Sequence, residues 1–208
     1  KYTIEIDQKG AIISLVSGGK QFVCRRLPLM QVCLRNKGET RSFNSDNAEA
    51  IEIKKNRDFV EIKYCFENSN LIIYTRLSFK NRVEATLSFD NNTGMYVEWI
   101  DFPQIAVPND LVSTGGSGHI VIDTNEGMLI EDIKLKENFY PYKYRPMNYP
   151  SEGLYAMFPA VVQSQFLSYY DDNAGIYIAA EDAKRSVKGI DFGPLEDAIK
   201  LQIKLYPG

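Results

Sequence analysis

Apolar and polar residues alternate with a period of two along most of this chain. In "RVEATLSFD" (residues 82–90), Val83, Ala85, Leu87 and Phe89 fall on one side, and Arg82, Glu84, Thr86 and Ser88 on the other. "DFVEIKYCF" interleaves Phe59, Tyr64 and Phe66 with Glu61 and Lys63, and "LIIYTRLSF" and "AIKLQIKLY" repeat the theme. Period two predicts half-buried antiparallel strands, with one face on a core and one in water. Between the runs lie turn formers: Gln8-Lys9-Gly10, Ser17-Gly18-Gly19, Glu67-Asn68-Ser69-Asn70, Lys80-Asn81, Asp90-Asn91-Asn92-Thr93-Gly94 and Asp171-Asp172-Asn173. These residues tolerate positive φ or bond their own backbone. About thirteen strands at this spacing predict an all-β, mostly antiparallel two-sheet sandwich, larger than an immunoglobulin-type one. No segment makes a convincing amphipathic helix. "LEDAIKLQI" comes nearest, but its second half alternates and reads as strand.

Two stretches break the rhythm. "STGGSG" (residues 113–118) is a loop signal. "ENFYPYKYRPMNYPSEGLYAMFP" (residues 137–159) crowds Phe139, Tyr140, Tyr142, Tyr144, Tyr149, Tyr155 and Phe158 among Pro141, Pro146, Pro150 and Pro159. Prolines at this density exclude a central strand and favour irregular extended backbone. Flat aromatic faces can stack on sugar C–H faces, and tyrosine hydroxyls, with Lys143 and Arg145, could bond sugar hydroxyls. Such a loop can equally cap a sandwich or dock on a neighbouring domain. Tyr140, Tyr142, Tyr144, Arg145, Tyr149 and Tyr155 are therefore the candidate carbohydrate or interdomain contacts.

The chain has 208 residues, 44% of them hydrophobic, enough for one sizeable core. A single domain over residues 1–208 is expected. The net charge of -3 favours neither nucleic acid nor an anionic membrane. No apolar run reaches the ~18 residues of a membrane-spanning helix. The chain opens on Lys1 with no signal peptide, the expectation for a processed protein or an excised piece of a longer one. Cys24, Cys33 and Cys65 are odd in number and form no C-x-x-C pair, which argues against a disulfide framework. Cys65, within a strand, reads as a small buried hydrophobe.

Candidate chemistry is sparse. Retaining glycosidases need two carboxyls ~5–5.5 Å apart. Glu98 and Asp101 flank Trp99, but an i, i+3 spacing on a regular strand points them to opposite faces. Asp171 and Asp172 belong to a turn, and Glu181 and Asp182 end a strand. Trp99, the sole tryptophan, reads as core. His119, the sole histidine, starts a strand after the glycine loop, where a solvent-facing or capping role is the simplest reading. Zinc is not expected without a second histidine or paired cysteines. "DNNTGMYVE" (residues 90–98) lacks the acid spacing of a calcium loop and reads as a turn. No catalytic residue, metal site or cofactor is assigned.

Three segments carry a resemblance. "TIEIDQKGAIISLVSGGKQF" resembles the opening of galactose-mutarotase-like supersandwich domains attached to glycoside hydrolases. "VEWIDFPQIAV" is similar to the strand of those domains that ends at an aromatic-Asp-Phe-Pro segment. "QSQFLSYYDDNAGIYIAAEDAKRSVKGI" resembles their late hairpin, with Gln-Phe, a Gly-aromatic strand, an Ala-x-Asp end and a lysine soon after. The relatives implied are the endo-α-N-acetylgalactosaminidases and their kin. The resemblance implies an accessory domain ahead of a C-terminal catalytic barrel, and 208 residues cannot hold both it and a barrel of ~250. It also implies that the hairpin is structural and lies near the barrel junction, with residues 139–155 and the strand ends near Asp171 and Lys188 forming the docking face. Carbohydrate is the other partner it suggests. Mutarotases themselves use two histidines and a glutamate, a set that His119 alone cannot supply. An aldose-epimerase-like activity at His119 and a free-standing carbohydrate-binding module are the alternatives.

Overall fold

The computed structural model describes residues 2–108, 111, 118–124, 127–130, 154–159, 162–196 and 198–207. Among them are seventeen β-strands, one 3-10 turn (Glu67–Ser69) and no α-helix. An opening meander comprises β1 (Tyr2–Ile6), β2 (Ile12–Ser17) and β3 (Lys20–Val23). After β4 (Gln31–Asn36) and β5 (Glu39–Asn44) comes a second meander: β6 (Ala50–Lys55), β7 (Phe59–Phe66), β8 (Leu71–Phe79) and β9 (Val83–Asn91). The long β10 (Tyr96–Pro108) precedes β11 (His119–Thr124), β12 (Met128–Ile130), β13 (Leu154–Phe158), β14 (Val162–Tyr170), β15 (Gly175–Ala179), β16 (Lys188–Pro194) and β17 (Ala198–Leu205). "LEDAIKLQI" is thus strand in its second half. Short strands such as β12, and polar ones such as β5 ("ETRSFN"), leave little period-two signal, so the pattern undercounts them.

The strands form four antiparallel sheets in place of the two expected, ordered β1-β2-β3, β13-β16-β17-β10-β4-β5, β12-β11-β14-β15 and β6-β7-β8-β9. All four contribute to one continuous apolar core. Phe22 and Val23 come from the first, Val32, Leu34, Phe192 and Leu201 from the second, Ile120, Leu167 and Tyr169 from the third, and Ile62, Tyr64 and Ile73 from the fourth. Phe43 and Phe66 join the six-stranded sheet to the β6–β9 meander edge to face, with centroids 5.1 Å apart. Such an arrangement contributes about 0.5–1.5 kcal/mol beyond the area it buries.

β10 organises the six-stranded sheet. Its first half pairs with β4 and its second with β17, and its register shifts between Val97 and Trp99 and again between Asp101 and Gln104. A bulge puts two residues opposite one and re-aims the side chains beside it. That shift overturns the expected opposition of Glu98 and Asp101. Glu98 instead turns to Arg35 and Cys33, on the side of the sheet shared by Trp99 and Asp101. Two burial expectations also change. Cys65 is half-buried, because it falls on the outward side of β7. Trp99 is half-buried and stands outside the apolar core, on the polar side of β10.

Candidate functional site

The outer face of the six-stranded sheet is polar, yet much of it is buried. In β17, Ile199, Leu201 and Ile203 point to the core, which sends Lys200, Gln202 and Lys204 to the other side. In register beside them lie Asp101 and Gln104 of β10 and Asp191 of β16. Alternation predicts that such a face lies in water. Instead Lys204 is 1% exposed and Asp191 0%, and Gln202 and Asp101 are buried as well. The register supplies the room: Gly189 stands opposite Lys204 and Gly193 opposite Lys200, so two long side chains meet no side chain on β16.

These groups partner one another only in part, since Gln104 Nε2 and Gln202 Oε1 stay buried without a hydrogen bond. Lys204 Nζ lies 2.7 Å from Asp101 Oδ1 and 3.6 Å from the centroid of the Trp99 ring. Gln202 Nε2 donates to Asp191 Oδ2 at 2.7 Å, and Lys200 Nζ approaches the same oxygen at 3.7 Å. Two lysines balance two aspartates, as burial demands. Loss of solvation pushes the Asp101 carboxyl above its ordinary value, and the ammonium of Lys204 pulls the other way. At the edge of the group, Arg35 hydrogen bonds Glu98 at 2.7 Å and holds its carboxyl below the usual range. Burial raises the Cys33 thiol beside it. An acid paired this closely to a buried ammonium is poorly placed to hand a proton to a substrate.

A second buried lysine anchors the late hairpin. β14 and β15 pair antiparallel around Asp171, whose Oδ1 accepts from the amides of Asn173 and Ala174 at 2.8 and 3.2 Å. Beyond β15 the chain turns at Asp182, which accepts from the amides of Lys184 and Ser186 at 2.9 and 2.7 Å. Lys188, 1% exposed, closes the motif. Its ammonium donates to Gln165 Oε1 at 2.7 Å, Asp182 Oδ2 at 3.1 Å and Ser186 O at 2.6 Å. All three of its protons are thereby used. It also sits 4.7 Å from the centroid of the Phe158 ring, within cation–π range. Lys188, ahead of the amides of Ser186 and Lys184, holds the Asp182 carboxyl well below the usual range.

Of the candidate contacts, Tyr140, Tyr142, Tyr144, Arg145 and Tyr149 lie outside the described residues. Tyr155 is placed in β13, opposite Asp191 in register. His119 opens β11 on the outer side of its sheet, against Tyr170 with centroids 5.7 Å apart. Residues 90–95 close on themselves as a turn: Asn91 Nδ2 donates to Met95 O at 2.8 Å, and Thr93 Oγ1 to Asn91 Oδ1 at 2.6 Å. Among the described residues no three histidine, cysteine or acidic side chains group as a metal site, and no helix is long and apolar enough to cross a membrane. Sequence reasoning placed Lys188 only near a docking face, whereas its side chain is buried, and it missed Asp191, Gln202 and Lys204. The one available signal was the pair of glycines two residues either side of Asp191.

No family model and no curated protein sequence matches the chain.

Proposed function

We propose that the chain is a non-catalytic accessory domain of a glycoside hydrolase, a galactose-mutarotase-like supersandwich that packs against a following catalytic barrel. One observation supports this reading most. In the two segments that resemble such domains most strongly, "WIDFP" and "AAEDAKRSVK", the acids are tied to buried lysines, Asp101 to Lys204 and Asp182 to Lys188. Groups of this kind hold strands in register, and they leave no free acid–base pair in those segments for glycoside cleavage. The all-β antiparallel architecture and its single core agree with a sandwich. The docking face of the proposal takes in residues 139–155 and the strand ends near Asp171 and Lys188. The test compares this chain with a protein extended past Gly208 on a panel of aryl glycosides. Turnover is expected only from the longer protein, and turnover by the chain alone would overturn the reading.

A further inference from the structure

On the outer face of the β12-β11-β14-β15 sheet, paired residues share a side, so the register arranges that face in rows. His119 stands beside Tyr170 and Gly175; Leu129 and Val121 beside Ser168 and Tyr177; Phe166 beside Ala179. The opposite side of these strands, with Ile120, Ile122, Leu167 and Tyr169, is the core. Four rings therefore sit together on the outer face. Phe166 and Tyr177 are stacked, with centroids 5.3 Å apart and planes 28° apart, and His119 leans on Tyr170. Tyr177 is 64% exposed. Its neighbours Gly175, Ser168 and Ala179 are small, so one flank of the stacked pair meets low ground.

Among the described residues, the polar complement of this face is almost uncharged. It consists of the hydroxyls of Ser168, Tyr170 and Tyr177 and the imidazole of His119, whose Nδ1 is buried without a hydrogen-bond partner. Asp123 is the one charged side chain on the β11 rows. A ligand suited to it is neutral, rich in hydroxyls, and flat and apolar on one side. That is the chemistry of a pyranose ring, whose C–H face stacks on an aromatic ring while its hydroxyls meet polar side chains. A protein partner fits less well. Among the described residues, only Tyr177 and Leu129, at 64% and 50%, are half exposed or more among the large apolar side chains here. A stable protein interface covers about 800 Å² per partner.

We infer that the outer face of the β14–β15 hairpin is a saccharide-stacking site, with the Tyr177 ring, backed by Phe166, as its platform. The inference rests on the accessory-domain reading for its ligand class, and its platform draws on the hairpin instead of residues 139–155. The test is saturation-transfer NMR with maltohexaose, cellohexaose, xylohexaose and mannohexaose at millimolar concentration, on the full chain. At least one probe should show transfer to the hydrogens of one ring face. Tyr177→Ala should weaken that binding about tenfold or more, whereas Tyr177→Phe, which keeps the ring, should stay within about threefold. Circular dichroism of both variants should match the parent, since Tyr177 stands outside the core. Binding of no probe, or unchanged binding by Tyr177→Ala, would overturn the inference. Binding lost instead in Tyr142→Ala would also overturn it while leaving the accessory-domain reading intact. That reading falls separately, on aryl-glycoside turnover by the chain.

Discussion

Replacing Lys188 with methionine keeps the aliphatic stem and deletes the ammonium. The ammonium makes three hydrogen bonds, two of them shorter than 3 Å. At ~1.5–3 kcal/mol for each charge-assisted bond, the gross loss is ~4–9 kcal/mol. Removing a buried charge also returns its desolvation cost, several kcal/mol for an ion this deep, so much of that loss cancels. Gln165 Oε1 loses its ammonium donor, while Asp182 keeps the amides of Lys184 and Ser186 and some contact with water. The net cost of Lys188→Met should therefore be about 3 kcal/mol, the low end for breaking a buried pair. For a domain of this size that lowers the melting temperature by about 6–12 °C. Thermal and urea unfolding followed by circular dichroism measure it. The acid limb gives a second readout. Asp182 has a folded pKa below its unfolded one, so its contribution is present above pH ~4 and fades as pH falls through the folded value. Without Lys188 the depression shrinks, and the loss of stability below pH ~4 should be shallower than in the parent. A variant within about 0.5 kcal/mol of the parent at neutral pH, with the same acid limb, would refute the argument that this lysine clamps the hairpin.

The strands were legible because one face of each meets the core. Val83 through Phe89 and Phe59 through Phe66 alternate as β9 and β7 require, and Asp171-Asp172-Asn173 turns the chain between β14 and β15. What alternation could not convey is whether the polar face of a strand meets water. Lys200, Gln202 and Lys204 follow the same period as Glu84 and Thr86, yet Gln202 and Lys204 are buried and Glu84 is exposed. The difference lies in the neighbouring strands. Lys204 reaches Asp101 only because β10 pairs with β17 in this register, and Gly189 leaves space beside it. Bulges are equally silent in sequence. Nothing in "YVEWID" announces that the register shifts there, so alternation alone sends Glu98 and Asp101 to opposite faces. The polar cluster is a product of long-range pairing, and local pattern reports only one strand at a time.

Far-UV circular dichroism should show a β-dominated spectrum, and a helix content above about a third would contradict the fold. Gly10→Ala should destabilise by about 2–5 kcal/mol, because residue 10 has φ +80° and an added Cβ would fall on the Tyr64 hydroxyl and lie 2.5 Å from Ile62 Cδ1. A cost below about 1 kcal/mol in urea unfolding would mean that the turn yields freely. Asp101→Ala should cost about 3–5 kcal/mol at neutral pH, since it leaves the buried Lys204 ammonium without the oxygen it pairs with. Adding Lys204→Met should recover part of that loss, because a methionine can fill the place of the Lys204 side chain beside Trp99 and no unpaired charge stays behind. Asp101 also acts on the pH profile in the sense opposite to Asp182. Burial raises its folded pKa above the unfolded one, so the folded state holds this proton more tightly. Its stabilising contribution is complete below pH ~4 and disappears as pH rises through the raised value. Relative to the parent, Asp101→Ala should therefore look worse at pH 4 than its neutral-pH cost alone predicts. A double-mutant cycle of Asp101→Ala and Lys204→Met, measured at both pH values, isolates the pair. Strict additivity at neutral pH would show that Asp101 and Lys204 do not stabilise each other, and the ion pair at the centre of the polar face would lose its role in holding β10 to β17.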